Sequence, residues 1–354
     1  MKLTLEQSRK MKSAKMLLLA GMILGPLYNL FEDGIGSWIP FVNTWIIGVI
    51  IAIIVALIEL LVLTGNTRNL SFYKILSIRI ILYTVLITGT ILLVMIFSRM
   101  LQYDLNFRQV CQSAEFQNYM NEEFLMGNFF ALMLITIVIF IMQMRRKIGP
   151  EILMGFISGK NYHPREVERI VMFVQVQKIK STIEKLGRLK FFQYLNDIIF
   201  DLTESVLFHK GNIYEYVENE VLLIWEVKKG TENANCIRTF FEILEVFEAN
   251  KINYFEKYGI VPSFKASLHV GKMIMGEIGD VKSEISYHGD VMNTASRILG
   301  KTSSENNFLI SADLMEMIQL PELYQKIPMG KFDLRGKHEE VELYSLKESE
   351  TITM

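Results

Sequence analysis

The chain has 354 residues, room for two or three domains, and a net charge of −1 with no dense basic tract, which excludes nucleic acid as its partner. Its 51% hydrophobic content and mean hydropathy of +0.27 exceed what an ordinary soluble enzyme carries, and the excess sits in the first 150 residues. Cys111 and Cys236 stand far apart without a second thiol or imidazole at ligand spacing, which excludes a disulfide framework and a zinc site.

Four apolar runs come first, near 16–31, 38–63, 80–97 and 124–144, and a helix needs about 20 residues to cross the hydrocarbon core. The first run is short and competes with a cleaved signal, but Gly25-Pro26 interrupts it and no small-residue cleavage site follows, so it reads as a retained span. Lys2, Arg9, Lys10, Lys12 and Lys15 precede it, Arg68, Lys74 and Arg79 surround the second loop, and Arg145, Arg146 and Lys147 follow the fourth run. Basic clusters stay on the cytoplasmic side, so an integral protein of the plasma or inner membrane with both termini in the cytoplasm is expected. Glu59 falls within the second run, where a carboxylate needs a partner, a proton or an interfacial position. A sensing or ion-linked site and an interfacial side chain are both open for it.

After Lys147 the texture turns mixed, with Gly149-Pro150 as a breaker and residues 159–164 as a polar turn. The expected division is a four-span region at 1–147, a linker at 148–164, a second domain at 165–347 and a tail at 348–354. Within that domain, 167–177 reads as a buried strand and 185–208 as an amphipathic helix stopped by His209-Lys210-Gly211-Asn212. Residues 213–217 and 221–225 flank Glu218-Asn219-Glu220 as a hairpin, 235–250 is a further helix, and 264–270 with 273–278 reads as a second hairpin around Gly271-Lys272. Strands alternating with helices in this order predict an α+β sheet with helices on one face.

Residues 285–298 read Ile-Ser-Tyr-His-Gly-Asp-Val-Met-Asn-Thr-Ala-Ser-Arg-Ile. A four-residue helical step puts the amide of Asn293 and the guanidinium of Arg297 on one face, where both can reach a ribose triphosphate. The run Gly289-Asp290-Val-Met-Asn293-x-x-x-Arg297 resembles the transition-state signature of class III adenylate/guanylate cyclases, and the resemblance extends over 165–347, including Gly330-Lys-Phe-Asp-Leu-Arg335-Gly336-Lys337. It implies an α+β, ferredoxin-like cyclase domain that pairs head to tail with a second copy or with another cyclase domain. In such a pair one partner contributes two metal-binding aspartates, and the other contributes the asparagine and arginine that act on a nucleoside triphosphate. It also implies that Arg335 and Lys337 bind the triphosphate.

The chain departs from the family at the metal half. Phe173-Val174-Gln175-Val176 stands where the first aspartate is expected, and Glu218-Asn219-Glu220 where the Gly-Asp-Glu turn carries the second. Gln175 and Asn219 bring no charge, and Mg²⁺ is a hard cation held by carboxylates and phosphates. No cofactor is therefore expected of this chain alone; Mg²⁺ or Mn²⁺ enters only if a partner domain supplies the carboxylates. At the base-reading positions stand Glu215 and Ser286, where adenylate-specific relatives carry lysine and an acid or threonine and guanylate-specific ones carry glutamate and cysteine. Glu215 can accept from guanine N1–H and its amino group, which leans the pocket toward guanine or toward no base. Three readings stay open: a cyclase forming a 3′,5′-cyclic nucleotide and pyrophosphate, a degenerate domain completing a partner cyclase, and a non-catalytic receptor or scaffold.

Overall fold

The computed structural model describes residues 38–61, 72–122, 124–148, 163–279, 284–334 and 340–349, together with scattered positions between 11 and 27. The chain divides into two compact units, Met1–Pro150 and Glu151–Met354.

In the first unit the helices are α1 (Trp38–Leu61), α2 (Phe72–Tyr103), the short α3 (Phe107–Gln112) and α4 (Ala114–Glu122), and α5 (Phe124–Ile148). Three of them, rather than the four spans expected from the sequence, are long and apolar enough to cross a membrane among the described residues: Phe41–Ile58, Ser77–Tyr103 and Phe124–Met142. The expected first span, 16–31, falls largely outside the described residues, although Leu17 packs among Val55, Tyr83, Ile87 and Ile139. The side chain of Glu59 and most of the expected linker lie outside them too. Polar pairs bind α2 to its neighbours: Ser98 Oγ donates to Asn43 Oδ1 at 3.1 Å and Thr88 Oγ1 to Asn128 Oδ1 at 2.9 Å. Without a hydrophobic force between helices in lipid, such bonds and close packing hold a bundle together.

The second unit is built on one sheet. Its elements are β1 (Arg165–Val176), α6 (Ile179–Leu186), α7 (Arg188–Phe208), β2 (Asn212–Val217), β3 (Glu220–Glu226), α8 (Val227–Thr231), α9 (Asn235–Ala249), α10 (Lys251–Tyr258), β4 (Phe264–Ile278), β5 (Glu284–His288), α11 (Asp290–Leu299), β6 (Phe308–Ser311), α12 (Ala312–Glu316), β7 (Tyr324–Phe332) and β8 (Val341–Glu348). Strand order is β2-β3-β1-β4-β6-β8-β7, with β5 paired to β4, and only the β4–β6 pair is parallel.

β1 is central and buried on both faces, so its β-branched run Ile170–Val174 alternates between two cores. Ile170, Met172 and Val174 join α7, α9 and α10 on one face, while Val171 and Phe173 meet Val291, Ala295 and Leu299 of α11 on the other. Helices therefore cover both faces, not the single face expected.

Two further expectations are corrected. Residues 264–278 form one 15-residue strand instead of a hairpin around Gly271-Lys272. Gly271 pairs with Arg169 inside the sheet, and its missing side chain leaves room for Val291, whose Cβ lies 3.1 Å from where a Cβ would stand. The helix expected over 185–208 breaks at Gly187, whose φ of +72° suits glycine and separates α6 from α7.

Two contacts give stability predictions. Gly211 lies under the fully buried Trp225, with an added Cβ falling 2.7 Å from the indole ring, and the Trp225 Nε1–H donates to the His209 carbonyl at 2.9 Å. Gly211→Ala is expected to cost about 1–3 kcal/mol, read as a lower denaturant midpoint at unchanged slope. On the neighbouring helices, Tyr254 donates to Asp201 Oδ2 and Tyr258 to Asp197 Oδ2, each at 2.7 Å, which fastens α10 to α7. Burial first, then the hydrogen bond and charge of Asp201, pushes the Tyr254 phenol well above its ordinary value, and burial raises Tyr194 as well.

A raised phenol favours the fold fully below the unfolded value of about 10 and loses that contribution as pH climbs past it, because unfolded tyrosines ionise first. Alkaline unfolding is expected to begin near that pH. Tyr254→Phe should flatten the alkaline fall in stability while lowering stability at neutral pH, measured by denaturant titration across the series.

Candidate functional site

α11 carries the signature found in the sequence, and the sheet fixes where it sits. Gly289 precedes it with extended backbone, and an added Cβ there would lie 2.9 Å from both the Lys272 carbonyl oxygen and Met273 Cβ, so glycine lets the helix begin hard against β4. Ser267 Oγ donates to the Ala295 carbonyl at 2.7 Å and anchors the middle of the helix to the same strand. With Val291, Thr294, Ala295, Ile298 and Leu299 buried, Asn293 and Ser296 are left facing outward.

They border a cleft of about 370 Å³, lined also by Phe173, Glu215, Val217, Leu222, Tyr287, His288, Gly289 and Met292. Its lining mixes apolar and aromatic side chains with a carboxylate, an imidazole, an amide and a hydroxyl, the kinds of group a small-molecule site combines. Tyr214 and Tyr287 meet edge to face at 5.1 Å and join β2 to β5 beside it. A register shift in β2 between Ile213 and Glu215 interrupts the alternation there.

The structure thus brings Glu215 and Asn293 together. Ser286 does not line the cleft; its Oγ lies 3.1 Å from Nε2 of His288, which does. Arg297 is half-buried one turn beyond Asn293 and outside the lining, and its Nη1 is buried with no hydrogen-bond partner among the described residues. Arg335 and Lys337 lie outside the described residues. Sequence reasoning missed Phe173, His288, Met292 and Ser296, of which His288 and Ser296 had a signal available, flanking the motif.

The two positions where the resemblance places metal aspartates are hydrogen-bonded. Gln175 and Glu220 are register partners on β1 and β3, and the Gln175 amide donates to the Glu220 carboxylate. Asn219, in the two-residue turn between β2 and β3, donates from Nδ2 to the Val176 carbonyl at 2.8 Å, and its own carbonyl accepts from Val176 N–H at 2.9 Å. Each amide nitrogen is engaged by a neighbouring acceptor, and neither side chain carries the negative charge with which carboxylates hold Mg²⁺. Among the described residues no group of three or more His, Cys, Asp or Glu side chains is placed to hold a metal ion. The donor set does not fit Mg²⁺ or Mn²⁺.

Comparison with known proteins gives a consistent result. The profile of the adenylate and guanylate cyclase catalytic domain matches residues 162–348. Adenylate cyclase 2 of Rhizobium meliloti (strain 1021) is 30% identical over 210 residues, 59% of this chain, and the match spans only 58% of that relative's length. Among solved structures, a bacterial light-regulated adenylyl cyclase superposes with a TM-score of 0.52 at 19% identity, covering 65% of this chain and 67% of that one. The adenylyl cyclase CyaB from P. aeruginosa superposes with a TM-score of 0.46 at 16% identity, covering 53% of this chain and 98% of its own. At these identities the structural likeness concerns the fold.

Proposed function

Because the chain belongs to the class III adenylate/guanylate cyclase family, we propose that it is a membrane-anchored cyclase homologue without a metal site of its own, which supplies the transition-state half of a composite site to a partner cyclase domain. The observation that carries this reading is the contrast between the two halves. The carboxylate positions hold Gln175 and Asn219 with their amide donors already bonded, while Asn293 borders the cleft and Arg297 keeps an unpaired guanidinium nitrogen among the described residues.

In this role Asn293 orients the ribose and Arg297 stabilises the charge that develops as the 3′-oxygen attacks the α-phosphorus and pyrophosphate leaves. Glu215 faces the base, Ser286 acts on it through His288, which lines the cleft, and Arg335 with Lys337 bind the triphosphate. The three apolar helices anchor the chain in a membrane, with the cyclase domain on the cytoplasmic side, where Arg145, Arg146 and Lys147 end the last helix. The domain works as a dimer, either with a second copy or with another cyclase, and only the second arrangement completes a site.

One observation favours the alternative of an active cyclase: Glu220 places a single carboxylate beside Gln175. The test is product formation from ATP and GTP by the purified full chain, with Mg²⁺ or Mn²⁺, alone and mixed with a metal-competent cyclase. Activity only in the mixture supports the proposal. Turnover by the chain alone at about 1 s⁻¹ or faster, the range of ordinary enzymes, overturns it.

A further inference from the structure

The junction of α6 and α7 carries a surface that the nucleotide site does not use. Leu189, Phe192 and Phe200 of α7 are 79%, 72% and 61% exposed. Their spacing places them within about 80° of the helix circumference, on the side away from the core residues Tyr194, Ile198 and Leu202. The same segment carries the exposed Lys180, Arg188 and Lys190, and Lys185 whose Nζ donates to the Gly259 carbonyl at 2.7 Å, against Glu184 as the only acid between 180 and 192. The next acid along α7, Asp197, is already engaged by Lys257 and Tyr258. Exposed leucine and phenylalanine in a segment rich in lysine and arginine suit the boundary of an anionic bilayer, apolar side chains to the acyl region and cations to the headgroups.

We propose that this corner docks on a lipid surface bearing anionic headgroups. Charge complementarity is one argument, since the patch is basic in a chain whose net charge is −1. The length of the tether is the other. α5 ends at Ile148 and β1 begins at Arg165, and the sixteen residues between them reach at most roughly 55 Å when extended. If α5 spans the bilayer, Arg165 stays within that reach of a headgroup layer and the corner follows one 12-residue strand later, about 40 Å farther along the chain, a tethering that raises the effective concentration of a weak contact.

The test uses the full chain with Cys111→Ser and Phe192→Cys, labelled with an environment-sensitive fluorophore and placed in nanodiscs of phosphatidylcholine with or without phosphatidylglycerol. Cys236 is fully buried and stays unlabelled. A blue shift is expected in the anionic discs only, weakening as salt is added. Lys180→Gln, Arg188→Gln and Lys190→Gln should each lower the docked-to-undocked ratio about fivefold, from roughly 1 kcal/mol per basic residue at an anionic surface. These side chains are exposed, so the variants should keep the wild-type circular dichroism. Water-like emission in both discs, or an equal shift in both, overturns the proposal. A shift that needs added protein assigns the face to a protein partner and overturns it too.

Discussion

Mixed with a cyclase domain that keeps both metal aspartates but has lost its own asparagine and arginine, the chain is expected to restore cyclic nucleotide formation, and Arg297→Ala is expected to lower the restored rate about 10²- to 10³-fold. The geometry behind the expectation is local. Arg297 follows Asn293 by one helical turn, and its Nη1 is buried with no hydrogen-bond partner among the described residues, which in the proposed role leaves that nitrogen to meet an anion. Leaving a buried guanidinium nitrogen without an acceptor is costly, and an anion brought by substrate would supply one. Asn293→Ala should show a smaller loss, since an amide contributes no charge. Neither change touches the buried face of α11 formed by Val291, Ala295 and Ile298, so gel filtration of the mixture should show the same assembly. Rescue that persists at full rate with Arg297→Ala would mean that the chain only scaffolds its partner.

What the sequence disclosed and what it hid divide along the range of the interactions involved. The family motif is legible because Gly289, Asn293 and Arg297 lie within one strand-to-helix junction whose spacing is set by the helical repeat. The departure from the family's aspartates is visible in the identities of Gln175 and Asn219, although nothing local announces that Gln175 bonds to Glu220, a contact that only the β1–β3 register creates. Gly271-Lys272 was misread as a turn because a glycine followed by a lysine between apolar runs looks like one. What it serves is Val291, 20 residues on, which packs into the space a side chain would fill. The break at Gly187 had a visible signal, a glycine within a helical pattern, whereas Phe173 and Leu222 reach the cleft only through sheet pairing.

Gln175→Asp with Asn219→Asp, joined by Glu218→Gly, is expected to convert the closed half into a cation site. In the native chain the Gln175 amide neutralises the demand of Glu220 for a donor. Replacing it with aspartate sets two carboxylates side by side on register partners of β1 and β3, and like charges at that distance repel unless a cation lies between them. Asn219→Asp adds a third oxygen ligand from the adjoining turn and gives up the donor to Val176. Glu218 holds φ at +51°, a left-handed conformation in which glycine is unstrained, so Glu218→Gly removes a bulky acid at a position that already has the backbone shape glycine prefers. Without metal the variant should be less stable than the native chain. With Mn²⁺ at a hundredfold excess over its dissociation constant it should regain about 2.7 kcal/mol, seen as a rise in melting temperature that the native chain does not show. The restored site should then let the chain cyclise nucleotide in its own homodimer, where Asn293 and Arg297 of one copy meet the carboxylates of the other. A melting temperature indifferent to Mn²⁺ would show that the strands carrying these positions have moved beyond the separation a single cation can bridge, and the chain's dependence on a partner would then lie in its backbone as well as in its side chains.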